Sequence, residues 1–362
     1  MSRQISVIVV DDSLVMRKSI QTMLESDPQI RVVATARDGR EAIEKVREHT
    51  PDIITMDIEM PGMDGLSALK VLMKENPLPV IMCSSLTKEG AQATIDAFNL
   101  GAVDFIPKDF TAVAREAIRD ELVSKVKQIA LHGSARFRAR FRKSTPAASR
   151  PPSSSAPAPR RIDLPASVRG NFRAVVVGIS TGGPFALLQT IPKIPADFPL
   201  GIVVVQHMPA RFTRSMADRL DSLSQVSVKE AEDGDKVEPG RVLIAPGGLH
   251  LTFTRNGVGT RVKISDEPRT TLYRPSADIM MTSAAEVFGG PLVGLIMTGM
   301  GKDGLEGLKL IKKKGGIVIA QNEESCVVYG MPKAAVDEGI ADAVLPLEGF
   351  PDVLAQVSRG KV

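Results

Sequence analysis

Residues 173 to 183, RAVVVGISTGG, run a β-branched apolar stretch straight into a serine framed by glycines. The run predicts a strand near 173 to 178, and the apolar pattern after it predicts a helix near 184 to 191. A strand that hands Ser180 into a tight turn and then a helix is a βα unit, and βα units in series build a parallel sheet. Gly178 and Gly182 complete a G-x-S-x-G string, where glycine lets neighbouring backbone approach closely and leaves the hydroxyl exposed above the sheet edge. Three readings stay open from these residues alone: an activated nucleophile, a phosphate-cradling turn, or a structural turn whose serine caps the next helix.

Outward from this unit the same alternation continues. Strands are expected near 201 to 206 and 292 to 297, with helices near 211 to 223, 276 to 287 and 303 to 314. The stretch 241 to 264 reads as antiparallel strands or hairpins around glycine turns. Residues 1 to 131 form a second α/β block, with strands expected near 5 to 10, 31 to 35, 52 to 56, 79 to 83 and 103 to 106. Their nearly continuous apolar character predicts a parallel sheet covered on both faces, where functional groups gather at the carboxyl ends of strands. Between the blocks, residues 133 to 168 are rich in Pro, Ser, Ala and Arg and lack periodicity, which predicts a flexible linker. The organisation expected is therefore 1–132, a basic linker 133–168, and 169–362.

At 362 residues the chain has length for about two domains. Hydrophobic residues are 43% and charged residues 24%, ordinary globular usage, and no apolar run approaches a membrane span. The start, MSRQISVIVVDD, runs into two aspartates rather than a signal-peptide cleavage site, so a cytoplasmic protein without membrane insertion is expected. Cys83 and Cys326 show no metal or disulfide spacing. Of the net charge of +4, residues 133 to 161 contribute +8, which leaves the remainder mildly acidic. A solvated tether explains that basic run, and nucleic acid is not expected as a partner.

The first block places Asp11 and Asp12 at the end of its first strand, Asp57 at the end of the third, Ser84 at the end of the fourth and Lys108 after the fifth. Clustered carboxylates repel unless a hard divalent cation offsets them, and Mg²⁺ also neutralises an incoming phosphoryl group. The strings VVDDS, TMDIEMPGMDG, MCSS and FIPKD resemble the receiver domain of two-component response regulators over residues 3 to 131. The resemblance implies a flavodoxin-like doubly wound domain with Asp57 as phospho-acceptor and Asp11, Asp12 and Asp57 as carboxylates for Mg²⁺. It further implies Lys108 as the phosphoryl contact, Ser84 and Phe105 as the switch pair, and a chemotaxis histidine kinase as phosphodonor. Asp109 stands where receivers usually carry proline.

In the second block a serine nucleophile needs a base, and the four histidines are His49, His132, His207 and His250. His207 follows the strand GIVVVQ, and Asp303 lies in the glycine-rich string TGMGKDG after VGLIM. Three strand-end loops then present nucleophile, base and carboxylate to one rim. A competing chain order would join Ser180, Asp233 or Asp235, and His250. GISTGG, VVQHMP, IAPGGLHL, YRPSAD, LIMTGMGKDG and AQNEESCVVYGMP together resemble the catalytic domain of chemotaxis protein-glutamate methylesterases over about residues 172 to 357. That resemblance implies Ser180 as nucleophile, His207 as general base and acid, and Asp303 as the group orienting the imidazole. Thr181 and Met300 match positions that assist the histidine and the oxyanion hole. It implies methyl-accepting chemoreceptors as substrate, esterase and glutaminase activity, and no cofactor for hydrolysis beyond the receiver's Mg²⁺. The alternative from another class is a response regulator with a non-enzymatic binding output domain.

Overall fold

The computed structural model describes residues 3–108, 115–132, 137, 171–257 and 259–358. The chain divides into two compact units, Met1–Ser153 and Ser154–Val362. The stretch 133–168, Phe137 apart, and Asp109 lie outside the described residues.

The first unit alternates β1 (Ile5–Val10), α1 (Leu14–Leu24), β2 (Ile30–Ala36), α2 (Gly39–His49), β3 (Ile53–Asp57), α3 (Gly65–Glu75), β4 (Val80–Ser84), α4 (Lys88–Leu100), β5 (Asp104–Pro107) and α5 (Arg115–His132). All strand pairs are parallel, in the order β2-β1-β3-β4-β5. Strands β3 and β4 are buried along their whole length, because helices cover both faces of the sheet. Ser13, Asp38, Asp64 and Thr87 each accept a backbone N–H in the first turn of the helix they precede, which fixes where each helix starts. The chain runs from β1 outward to β2 and then returns to place β3 on the other side of β1. That reversal opens a crevice at the carboxyl ends of β1 and β3. Asp11 directly follows β1 and Asp57 ends β3.

The second unit carries a seven-stranded parallel sheet in the order β14-β13-β12-β6-β7-β9-β8. Its strands are β6 (Ala174–Ile179), β7 (Gly201–Gln206), β8 (Ser227–Glu230), β9 (Arg241–Ile244), β12 (Val293–Ile296), β13 (Ile317–Gln321) and β14 (Ala343–Leu345). The antiparallel hairpin of β10 (His250–Asn256) and β11 (Gly259–Ser265) stands apart from that sheet. The helices are α6 (Gly183–Thr190), α7 (Phe212–Leu223), α8 (Ala277–Val287), α9 (Leu305–Lys313), α10 (Met331–Asp337) and α11 (Phe350–Ser358). One core cluster includes Val176 and Val203 of the sheet, Met281 of α8, Leu308 of α9 and Phe253 of the hairpin. Phe253 meets Phe288 edge-on at 5.2 Å, and its N–H donates to Ser283 Oγ at 2.9 Å, tying hairpin to helix.

One expectation is corrected. Residues 241 to 244 are not part of a hairpin: β9 pairs in parallel with both β7 and β8, and only 250 to 265 is antiparallel. Val242, Leu243 and Ile244 are all buried, and a short apolar run beside a glycine reads the same in either arrangement. Patterning also assigns no element to β8, β13 or β14, nor to α10 or α11. The sheet's topological reversal falls between β6 and β12. The loops after β6, β7 and β12 therefore share the carboxyl rim where an α/β sheet opens a crevice.

Candidate active site and carboxylate pocket

Ser180 is the residue after β6, and His207 is the residue after β7. Ile179 and Gln206 are paired partners on those neighbouring strands, and the His207 N–H donates to Ile179 O at 3.2 Å, so the two loops leave the sheet side by side. Gln206 Nε2 donates to Ser180 O at 3.0 Å and to His207 O at 3.2 Å, clamping both turns from beneath. The turn after Ser180 depends on Gly182, whose φ of +78° is left-handed and where a Cβ would stand 2.6 Å from the Val327 side chain. From the other side, the Ser180 N–H donates to Thr298 O at 3.0 Å. Gly299 lies so close that a Cβ there would be 2.8 Å from Ser180 Cβ.

Asp303 sits in the loop after β12. Its Oδ1 accepts from Ser276 Oγ at 2.8 Å and from the Asp278 N–H at 3.1 Å, while its Oδ2 accepts from the Ala277 N–H at 2.6 Å. The same Oδ2 is 2.8 Å from His207 Nε2. Burial alone would raise this carboxyl, but hydrogen bonds and charge from His207 and the Ala277 and Asp278 amides outweigh it and hold Asp303 below the usual carboxylate range. An ionised carboxylate only accepts, so His207 Nε2 is the donor in this contact, which in the neutral imidazole leaves the lone pair on Nδ1. His207 Nδ1 is buried and makes no hydrogen bond among the described residues. The Tyr273 ring lies flat on the His207 ring, with centroids 4.3 Å apart and planes 6° from parallel.

Of the assisting positions, Thr181 is buried and its carbonyl accepts from Thr298 Oγ1 at 2.9 Å. Met300 follows Gly299 in the loop that carries Asp303. Among the described residues, the amides of Thr181 and Gly182 donate to no protein acceptor, and they head helix α6, which has no side-chain cap. The competing set is not brought together. Asp233 accepts from the Ile264 N–H, Asp235 from the Glu232 N–H and Lys229, while His250 Nε2 lies 3.2 Å from Pro268 O and 3.0 Å from Thr271 Oγ1. Burial pushes the His250 imidazole below its ordinary value, as expected of a neutral ring inside the fold. Tyr273, Ser276, Gln206 and Thr298 escape sequence reasoning as site residues. Their only signal is that they fall inside YRPSAD, VVQHMP and LIMTGM.

In the first unit, Lys108 Nζ bridges Asp11 Oδ2 at 2.7 Å and Asp57 Oδ2 at 2.6 Å. Oxygens of Asp11, Asp12 and Asp57 all lie within 4.8 Å of one another, a set of hard donors that fits a divalent cation. Burial pushes the Asp57 carboxyl above its usual range despite Lys108. Burial penalises the Lys108 ammonium too, yet its two carboxylates outweigh that and hold it above the ordinary lysine value. Ser84 is buried and donates from Oγ to Gly90 O at 2.9 Å, an inward-held hydroxyl. Phe105 is buried against Phe98 edge-on at 6.1 Å, with Lys125 Nζ 5.6 Å above its ring. Lys125 also bonds Asp104 Oδ1 at 3.0 Å and Phe105 O at 2.9 Å, which ties α5 to the strand that carries Phe105.

The family description of CheB methylesterase matches residues 175–354, and that of the response regulator receiver domain matches residues 7–120. The chain is 48% identical over 366 residues to protein-glutamate methylesterase/protein-glutamine glutaminase 1 of Oleidesulfovibrio alaskensis, covering 97% of this chain and 98% of that protein. Protein-glutamate methylesterase/protein-glutamine glutaminase of Pyrococcus horikoshii is 46% identical over 362 residues, covering 98% and 94%. The crystal structure of the Thermotoga maritima CheB methylesterase catalytic domain is similar at 46% identity and a TM-score of 0.50, across 52% of this chain and 99% of that one.

Proposed function

This chain belongs to the protein-glutamate methylesterase/protein-glutamine glutaminase family, and we propose that it hydrolyses glutamyl γ-methyl esters, and deamidates glutamine, on chemoreceptors under control of receiver phosphorylation. The observation that carries the chemistry is the 2.8 Å contact of His207 Nε2 with a buried, fully hydrogen-bonded Asp303, beside a serine on the adjacent strand end. Because Nε2–H donates its hydrogen bond to Asp303 and keeps the proton, Nδ1 is the basic atom. Ser180 Oγ attacks the γ-carbonyl carbon and its proton passes to Nδ1. The tetrahedral oxyanion forms in reach of the free amides at the head of α6, an interaction worth about 10² to 10³ in rate for one donor. Nδ1–H then protonates the departing methoxide or amine, releasing methanol or ammonia and leaving a glutamyl ester on Ser180. Water enters, gives its proton to Nδ1, and attacks the same carbon, so Ser180 leaves with that proton and glutamate is freed. In an unliganded site the serine-to-histidine hydrogen bond is often long and tightens only with substrate.

In the receiver, Asp57 is the phospho-acceptor, and Asp11, Asp12 and Asp57 are the residues that would hold Mg²⁺. When bound, the ion offsets the carboxylate cluster and the charge of the incoming phosphoryl group. Lys108 then has a phosphoryl oxygen to pair with, and Ser84 and Phe105 respond to it. The phosphodonor is a chemotaxis histidine kinase, which with the receptor substrate sets the reaction in the cytoplasm. Residues 1–132 form the receiver, 169–362 the catalytic domain, and 133–168 the tether between them. The test is methanol release by the full-length protein from a methylated chemoreceptor fragment. Ser180→Ala is expected to lose at least about 10⁴ in rate while Asp57 still takes up phosphate, and His250→Ala to keep substantial activity. A folded Ser180→Ala protein with parental activity removes the nucleophile assignment.

A further inference from the structure

We propose that Tyr273 is a positioning residue for the general base, holding the plane of the His207 imidazole so that Nδ1 stays aimed at the nucleophile. The proposal rests on the reading of His207 as that base. A single hydrogen bond from Nε2 to Asp303 fixes one point of the ring and leaves it free to swing about that contact. A second restraint must set the plane, and the Tyr273 ring, stacked at 4.3 Å and within 6° of parallel, is positioned to supply it.

Tyr273 is itself held from several directions. Its hydroxyl reaches over Gly301, where a Cβ would stand 3.2 Å from that oxygen, so the side chain spans from His207 to the turn that carries Asp303. The segment it belongs to is pinned on one side by His250, whose Nε2 is 3.2 Å from Pro268 O and 3.0 Å from Thr271 Oγ1. Just after it, the Gly248 N–H donates to Arg274 O at 3.1 Å, and Ser276 Oγ donates to Asp303 Oδ1 at 2.8 Å. The segment that aligns the imidazole is thus bonded to the carboxylate that orients it. The half-buried aromatic face also suits the charge that develops: when Ser180 passes its proton to Nδ1, the ring becomes a cation lying on a π-face that attracts it.

The test compares Tyr273→Phe and Tyr273→Leu in the full-length protein. Tyr273→Phe, which keeps the ring, is expected to retain kcat within about twofold, and Tyr273→Leu to lose about tenfold in kcat with KM little changed. Independently of any hydrolysis, the His207 ring Cε1–H resonance is expected to carry a ring-current shift in the parent and in Tyr273→Phe, and to lose it in Tyr273→Leu. Parental kcat in a Tyr273→Leu protein that has lost the ring-current shift overturns the proposal. A loss confined to KM overturns it as well, because Tyr273 then acts on substrate rather than through His207. Failure of the parent to release methanol counts against the proposed activity alone, since the resonance still reports whether the stack orders the ring.

Discussion

The receiver pocket and the catalytic rim occupy the same place in two parallel sheets, the crevice where strand order reverses, yet they treat a buried carboxylate in opposite ways. Asp303 is bonded by a serine hydroxyl, two backbone amides and an imidazole, and these hold it below its ordinary range against the pull of burial. Asp57 has one ammonium, shared with Asp11, and one long contact from the Glu59 N–H at 3.4 Å, and burial leaves it above its ordinary range. The first carboxylate is satisfied, which suits the orienting role proposed for it. The second is under-satisfied in the free protein, which suits the phospho-acceptor role proposed for it. Topology supplies the location in both units, and the count of donors around the carboxylate decides its chemistry.

The largest effect is expected for Asp303→Asn. The amide group would donate to His207 Nε2 and force the proton onto Nδ1, the atom proposed as base, so kcat should fall by about 10⁴, the loss typical of a wrong tautomer. An amide nitrogen also faces donors that Asp303 accepts, costing about 1 to 3 kcal/mol of stability. Activity assays and calorimetry check both parts, and an active, parentally stable Asp303→Asn protein would show that Asp303 does not orient the imidazole.

A smaller effect, of opposite sign, is expected for Asp57→Asn. A folded-state pKa raised above the unfolded value of about 3.9 means that the ionised carboxylate works against folding, and that its share of stability is lost as pH rises through the raised value. Removing the charge should therefore stabilise the receiver near pH 7, by an amount on the order of 1 kcal/mol. The gain should fade in acid. For Asp303 the lowered value reverses the sign, so its contribution is present at neutral pH and is lost as pH falls through the folded value, below about 3.9. Thermal unfolding of the two variants between pH 3 and pH 7, on the order of one measurement per pH unit, reads both signs. A destabilised receiver in Asp57→Asn at neutral pH contradicts this account of the pocket.

Much of the molecule is legible in the chain because its chemistry sits at strand ends. Asp11, Asp12, Asp57, Ser84 and Lys108 are polar residues abutting apolar runs, and a parallel sheet can only collect them on one edge. With four histidines in the chain, His207 is the one that follows a strand of the second block. Strand pairing is less legible, as Arg241–Ile244 shows: four residues carry too little pattern to distinguish a parallel partner from a hairpin partner. The imidazole's orientation cannot be read at all, since it depends on which nitrogen meets Asp303. Tyr273 and Ser276 are marked in sequence only by their place inside YRPSAD. Their roles arise only when the segment before α8 folds back over the rim.

If Asp57 and Ser180 are separate chemical centres, the state of the first governs the rate at the second. The direct measurement is the initial rate of methanol release from a methylated chemoreceptor fragment by the full-length protein, before and after adding a small-molecule phosphodonor with Mg²⁺. A several-fold rise is expected in the parent and no response in Asp57→Asn. An equal rise in Asp57→Asn, or an unchanged rate in parent protein whose Asp57 is shown to be phosphorylated, would contradict it.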